Sequence, residues 1–330
     1  MKEYLLRRLL MIIPTYLGIT IVTFVIIQLA PGSPVSAKLG IGESLKDNVL
    51  NRKIIEDTKK LYGLDRPVIA QYFDWLKRSL TFDFGDSFKD NRPVMEKIAE
   101  RVPVTLQINI IAILAVYLIS VPIGVFSAVK HNSLADKAVT VIIFVLYSLP
   151  NFWVAILLIT FLGGGEYLDI FPIYGLNSYG IEGASFFNFL LDRLWHLVLP
   201  VTCLAYAGLA SLSRYAKVGM LDVIRQDYIL TARAKGLSEK AVIFKHALRN
   251  SVIPIVTLLA GLLPAMLGGS VIVESIFSIP GMGKLGFESI LARDYPTIMG
   301  IVSISALLTL AGFLISDILY AVVDPRISYE

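Results

Sequence analysis

An all-α, polytopic membrane protein with six transmembrane helices is the fold class the sequence predicts, and three observations predict it. The 330 residues are 55% hydrophobic and only 17% charged, with a mean hydropathy of +0.69. Soluble domains carry charge on nearer a quarter of their residues. The apolar residues gather into runs, and six of these (9–30, 103–129, 138–163, 195–213, 251–273 and 297–322) approach the ~20 residues that cross a bilayer. Lys and Arg, finally, concentrate in alternate short loops, as they do on the cytosolic side of a membrane.

The first run follows Lys2, Arg7 and Arg8, and Val35-Ser36-Ala37 mimics a signal-peptidase site. Its apolar core exceeds the ~15 residues of a signal-peptide core, so it reads as a retained anchor helix over 1–30. Residues 31–102 read as a small extracytoplasmic helical subdomain. Leu50, Ile54, Ile55 and Leu61 have near-helical spacing. Gln71 to Leu80 combines Tyr72, Phe73, Trp75 and Leu76 with Lys77 and Arg78, which suits a helix at a membrane interface. Pro93 suits the first turn of a helix to Glu100, with Val94, Met95 and Ile98 on one side. Two roles stay open for this region: a cap that shields the bundle, or a landing surface for a substrate-delivering protein.

The five later spans form a core over 103–323, followed by a short tail, 324–330. Pro103, Pro122, Pro254 and Pro264, with Gly124, Gly261, Gly268 and Gly269, are expected to kink or loosen spans two and five. Gln107, Asn109, Asn151, Ser270 and Ser303 are polar groups inside spans and are the candidates for a translocation path or gate. Asp317 costs ~2.5–3.5 kcal/mol at mid-membrane, and its place near the end of span six predicts a structural ion pair.

Short loops set the orientation. Lys130 and Lys137 lie between spans two and three. Between spans four and five stand Arg214, Lys217, Arg225, Arg233, Lys235, Lys240, Lys245 and Arg249, against Asp222, Asp227 and Glu239. The loops at 164–194 and 274–296 are instead acidic on balance. Both termini are therefore expected in the cytosol, with the chain multi-pass in its membrane.

In the outer loop 274–296, Gly281-Met282-Gly283-Lys284-Leu285-Gly286 matches G-x-G-x-x-G, but no strand-turn-helix surrounds it, and Leu285 stands where a P-loop needs Ser or Thr. Pro280, Gly281, Met282 and Gly283 fit better as a glycine-hinged re-entrant loop, a backbone tolerated where protein or a water cavity covers it. In the basic loop 214–250, Asp227 is placed to cap a helix over Tyr228 to Lys235, and Gly236 to end it. Ser238 can start a second helix, in which Val242, Ile243, Ala247 and Leu248 lead into span five. Such a knob offers Tyr228, Ile229 and Ala232 as apolar contacts, with Arg233 and Lys235 adding charge. A basic loop that only obeys the topology rule remains the alternative.

Catalytic chemistry finds little footing. Cys203 is the lone cysteine, the histidines are His131, His196 and His246, and neither H-E-x-x-H nor G-x-S-x-G occurs. No metal site is expected, and nothing points to nucleic acid.

The segment Thr231-Ala232-Arg233-Ala234-Lys235-Gly236-Leu237-Ser238, followed by His246-Ala247-Leu248-Arg249-Asn250 and Pro254, resembles the cytosolic loop of ABC importer permeases in the dipeptide/oligopeptide/nickel family. Other segments agree: Arg7-Arg8-Leu9 through Pro31-Gly32-Ser33-Pro34; Leu61-Tyr62-Gly63-Leu64-Asp65-Arg66-Pro67; Gly85-Asp86-Ser87-Phe88; Arg92-Pro93-Val94; Pro280-Gly281-Met282-Gly283; and Asp324-Pro325-Arg326-Ile327. The general importer motif opens with Glu-Ala-Ala, where this chain has Leu230, Thr231 and Ala232, so the acidic residue is missing.

The resemblance implies a type I importer permease in the cytoplasmic (inner) membrane of a bacterial or archaeal cell, with no catalysis of its own. It implies a second, homologous permease, two ATP-binding cassette subunits that hold ATP and Mg, and an extracytoplasmic binding protein. This chain would bind no cofactor. Asp227, Tyr228, Ile229, Ala232, Arg233, Ala234, Lys235 and Gly236 would dock the ATPase, and di- or oligopeptides would be the cargo. Nickel complexes or oligosaccharides are the alternatives within that machinery. An autonomous channel or secondary carrier is the alternative outside it, distinguished by activity without an ATPase.

Overall fold

The computed structural model describes residues 2–29, 49–61, 63–165, 167–252, 255, 258, 262, 266 and 268–323. The segment 31–48, the kinks expected at Pro254, Gly261 and Pro264, most of the predicted fifth span and the 324–330 tail lie outside the described residues. The described residues form helices, with one isolated bridge between Asp86 and Pro93. In chain order these are α1 (Lys2–Leu29), α2 (Val49–Leu61), α3 (Val68–Ser79), α4 (Val94–Val129), α5 (Leu134–Ser148), α6 (Asn151–Leu162) and α7 (Phe186–Ile224). Then follow α8 (Asp227–Ala234), α9 (Glu239–Ala241), a π-helical segment (Val242–Ala247), α10 (Leu248–Ser251), α11 (Val271–Ile276), α12 (Met282–Ala292) and α13 (Tyr295–Val323).

Among the described residues four helices are long and apolar enough to cross a membrane, in α1, α4, α7 and α13, and the pair α5/α6 makes a fifth span only if its 102° bend is counted as one crossing. The span expected over 138–163 is therefore two helices with a sharp bend between them. Leu149 precedes Pro150 and is held in the extended region, φ −81° and ψ 136°, because the proline ring disfavours the helical conformation there. Pro150 then stands as N-cap to α6. The span expected at 195–213 is the middle of a much longer helix. At 36 and 39 residues, α4 and α7 are about 54 and 58 Å long, well beyond a ~30 Å hydrocarbon layer. The expected boundary at 102 is also no break, because α4 runs on through Pro103 and Pro122.

Helices α4 and α7 pack side by side and form the spine. Gln107 meets Arg193, Ser120 meets the Leu209 carbonyl, and Gly124 meets Ser213 and Ala216, so the contacts rise together and the helices run parallel. At Gly124 a Cβ would stand 2.4 Å from the Ala216 Cβ, which is the close approach that small residues permit between membrane helices. Around this spine, Ile108, Ala112, Ala155, Leu197, Cys203, Val273 and Phe277 make one core, and Phe84, Val94, Ile98, Met282, Leu285 and Ile304 make another. Helix α1 runs antiparallel to α13. Arg8 Nε lies 2.9 Å from Asp317, which is the structural pair expected for that acid. The bundle thus has a basic end, where α4, α7 and α13 finish and α1 begins, and a far end.

The far-end segment differs from expectation in one detail. Val94 and Ile98 are buried together with Lys97, at i, i+3 and i+4, while Met95 is exposed rather than on that face.

Candidate functional site

Helix α8 sits at the basic end, two residues beyond the long α7. Its first residue is Asp227. Gln226 is the N-cap and makes no side-chain cap bond, so Asp227 does not cap the helix as expected but lies in its first turn, where a negative charge suits the macrodipole. Gly236 follows at φ 75°, a conformation that costs other residues strain, and its N–H reaches the Arg233 carbonyl at 2.9 Å. Ser238 caps the next helix through the Ala241 N–H.

The two faces of α8 have opposite characters. Ile229 and Ala232 point inward, into a cluster with Val125, Ala128, Met220, Val242 and Ala247. Ile229 is fully buried, so neither residue is available to a partner, which corrects the expectation that they meet one. The i, i+3 spacing that made them look like a docking stripe is the stripe by which the knob is seated. Asp227, Leu230, Thr231 and Ala234, at i, i+3, i+4 and i+7, are exposed on the other face, and Tyr228, Lys235, Gly236 and Leu237 are exposed beside them. Arg233 is exposed too, but its Nε lies 2.8 Å from Glu239, so it straps α8 to α9. Tyr228 accepts from Asn250 at 2.8 Å, a second strap, to the end of α10.

Beneath the knob lies one buried ion pair. Asp136, 3% exposed, accepts from Lys217 Nζ at 2.6 Å and from the Asn132 N–H at 3.0 Å. It ties the 130–133 turn to α7. The Ser251 hydroxyl closes the other side against Met220 and the Leu248 carbonyl. The π-helical turn at 242–247 buries Val242 and Ala247 while leaving Phe244 exposed.

The path candidates other than Ser303 have separate local partners. Gln107 accepts from Arg193, which also donates to Asn177 at 2.7 Å. Asn109 donates to the Met266 and Gly268 carbonyls at 2.7 and 3.1 Å. Asn151 accepts from the Tyr206 hydroxyl at 2.6 Å, at the α5/α6 bend. Ser270 caps α11, and Ser303 is fully buried in α13. Gln107 and Asn151 are paired with other side chains, and Asn109 and Ser270 with the backbone, as buried polar groups generally are.

At the far end, Pro280 to Gly283 do form a hinged turn between two short helices. Gly281 is the N-cap of α12 in an extended conformation. A Cβ on Gly281 would stand 2.3 Å from the Glu274 carboxyl carbon, and one on Gly269 would stand 2.1 Å from the Gly283 nitrogen. Both positions require glycine for this approach. Glu274, 4% exposed, accepts from the Lys284 N–H at 2.8 Å and from the Thr105 hydroxyl at 3.2 Å, while Thr105 accepts from the Met282 N–H at 2.8 Å. The loop is thereby riveted to α4.

A second joint was not foreseen at all. Asp294, fully buried, accepts from the Ser87 hydroxyl, from the Phe88 N–H at 2.8 Å and from the Thr297 hydroxyl at 2.6 Å. Lys97 donates to Ser87 at 2.8 Å and pairs with Asp90 at 2.8 Å. Gly85-Asp86-Ser87-Phe88 carries half of this joint and was visible as a motif. Its partner Asp294 lies more than 200 residues away in the chain.

Parallel apolar spine helices, a strapped knob at one end and riveted loops at the other describe a polytopic helical membrane protein. Comparison with known proteins supplies its class. Residues 120–329 match the family described as binding-protein-dependent transport system inner membrane component, and residues 1–109 match its N-terminal companion. The chain belongs to that family of importer permeases. It is 43% identical over 330 residues to the oligopeptide transport system permease protein AppB of Bacillus subtilis (strain 168), covering all of both chains. It is 36% identical over 343 residues to the dipeptide transport system permease protein DppB of Alkalihalophilus pseudofirmus, again over the whole of both. It is 34% identical over 360 residues to the peptidoglycan transport system permease protein YejB of Agrobacterium fabrum, covering all of this chain and 99% of that one. Among solved structures, an inward-facing form of the MetNI methionine ABC transporter has a chain that aligns with a TM-score of 0.52 at 16% identity, covering 70% of this chain and 97% of that one. The last likeness concerns fold alone.

Proposed function

We propose that this chain is the membrane-spanning subunit of an ATP-driven importer of di- or oligopeptides, working with a second homologous permease, two ATP-binding cassette subunits and an extracytoplasmic binding protein. Peptide cargo follows from the names of the full-length relatives. The chain itself binds no nucleotide; ATP and Mg belong to the partner ATPases. The basic end faces the cytosol, with both termini there, in accord with the loop charges. Six crossings are reached if the α5/α6 pair is one span and the segment before α11 is another.

The observation that carries the coupling role is the division of α8 into a seated face and an exposed face. Ile229 and Ala232 hold the helix on α4 and α7, and Asp227, Leu230, Thr231 and Ala234 are left to meet the ATPase. Because the seat joins α8 to both spine helices, a push on the exposed face is delivered to α4 and α7 together. Straps at Arg233–Glu239 and Tyr228–Asn250 keep the helix from rolling under that load. The test is peptide uptake and ATPase co-purification with Leu230→Asp. Uptake should be lost and ATPase recovery should fall, with membrane insertion unchanged. Wild-type uptake and recovery in that variant would refute the assignment.

A further inference from the structure

Helix α3 is divided into three sectors, and each meets a different environment. With about 100° between successive residues, Gln71, Tyr72, Trp75 and Ser79 share one sector of about 100°. Ile69, Phe73, Leu76 and Leu80, at i, i+4, i+7 and i+11, share a second, within about 60° of one another. Asp74, Lys77 and Arg78 occupy the third, also about 100° wide.

The first sector faces the protein. Tyr72 shares a hydrogen bond with Thr20 at 3.0 Å and lies edge-on to Phe24 with ring centroids 5.3 Å apart; Gln71 accepts from Gln28 at 3.2 Å. Trp75 packs against the Phe84, Val94 and Ile98 core. The second sector is apolar and, apart from the half-buried Leu76, uncovered: Ile69 is 72%, Phe73 61% and Leu80 73% exposed. The third is charged and exposed.

The contacts with α1 fix the depth and the roll of α3. The apolar stretch of α1 is Arg7–Leu29, so Thr20 lies toward its middle and Gln28 at its end. Eight residues of helix separate them, about 12 Å. Tyr72, on the edge of the protein-facing sector nearest the apolar stripe, takes the deep partner. Gln71, on the edge nearest the charged sector, takes the shallow one. The apolar stripe therefore points toward the membrane interior and the charged sector points away from it. At the same level α1 leaves Ile21, Val22, Val25 and Ile26 exposed, so the apolar surface is continuous from span to helix.

We infer that α3 is a membrane-immersed interfacial helix, whose Ile69, Phe73 and Leu80 insert among the lipid acyl chains of the leaflet beside the outer half of α1. Its uncovered apolar stripe is covered by lipid and not by a delivering protein. Asp74, Lys77 and Arg78 stay at the headgroup and water level, the arrangement of helices that lie along an interface. This inference rests on helix geometry and needs no assumption about cargo or ATPase.

The test is spin-label accessibility in the assembled complex in nanodiscs, in a Cys203→Ala background. Nitroxides are placed singly at Ile69→Cys, Phe73→Cys, Asp74→Cys and Lys77→Cys, all exposed positions. Labels at 69 and 73 should collide with oxygen several-fold more than with a water-soluble nickel chelate, and labels at 74 and 77 should do the reverse. Chelate access at 73 equal to that at 74 would overturn the inference. Shielding of 73 only after the binding protein is added would also overturn it, by making the stripe a protein-docking surface.

Discussion

The two ends of the bundle are joined by different chemistry. At the basic end the knob α8 rests on an apolar seat built from Val125, Ala128, Met220 and Ala247, with Asp136–Lys217 as the buried ion pair below it. At the far end the joints are polar: Asp294 gathers Ser87, Phe88 and Thr297, and Glu274 gathers Thr105 and Lys284. Apolar contact is non-directional and survives small displacements. A buried carboxylate tolerates none, because each lost partner leaves an uncompensated group. The loops at the far end are thus pinned by directional polar joints, whereas the knob at the basic end is seated by apolar contact.

The most damaging way to probe this contrast is Asp294→Ala. It strips three donors of their acceptor beside buried Lys97, and should cost about 3–5 kcal/mol, read as a large fall in thermal midpoint of the purified permease. A loss under about 1 kcal/mol would mean the far-end joint is not structural. Gly281→Ala should follow, at about 1–3 kcal/mol, because the added methyl meets the Glu274 carboxylate and forces the loop off α4. At the basic end Ile229→Val should cost only about 0.5–1.5 kcal/mol, since the seat can settle around one lost methylene. Leu230→Ala, on the exposed face, should change stability by no more than about 0.5 kcal/mol while lowering peptide-stimulated ATP hydrolysis. Equal effects of the last two variants on stability would erase the distinction between seat and docking face.

Acidity gives a gentler probe. Burial alone would raise the Asp90 carboxyl, but hydrogen bonds from Lys97 and the Arg92 N–H outweigh it and hold the group at about 2, below its ordinary 3.8. A depressed folded-state value means the contribution is complete above 3.8 and is lost as pH falls through about 2. The thermal midpoint of the wild type should therefore lose this increment between those values, and Asp90→Asn should fall less steeply there, by Asp90's share, while Asp83 and other paired carboxylates still contribute.

Much of this was legible in the sequence, and the reason is physical. Apolar runs report spans by length, and α1, α4, α7 and α13 stand where the runs were. Glycine after a basic helix reports a left-handed turn, and Gly236 has one. Asp317 near a span end reported an ion pair. Direction within the knob was not legible: Ile229 and Ala232 make a stripe whether the stripe faces a partner or the chain's own helices. The break at Leu149-Pro150 was missed because the apolar run continues through it. Asp294, Glu274 and the Asp136–Lys217 pair were missed because partners up to 207 residues apart share no local pattern. The polar residues singled out inside spans proved to take part in separate pairings of this kind, which a sequence pattern does not report.

The central claim is that the exposed face of α8 is the ATPase contact, and thiol protection tests it most directly. In a Cys203→Ala background, Ala234→Cys places one thiol on that face and Lys240→Cys places one on exposed α9 as a reference. A water-soluble maleimide should label both in the isolated permease, and the assembled complex should protect position 234 far more than position 240. Equal labelling at 234 with and without the ATPase subunits would contradict the account.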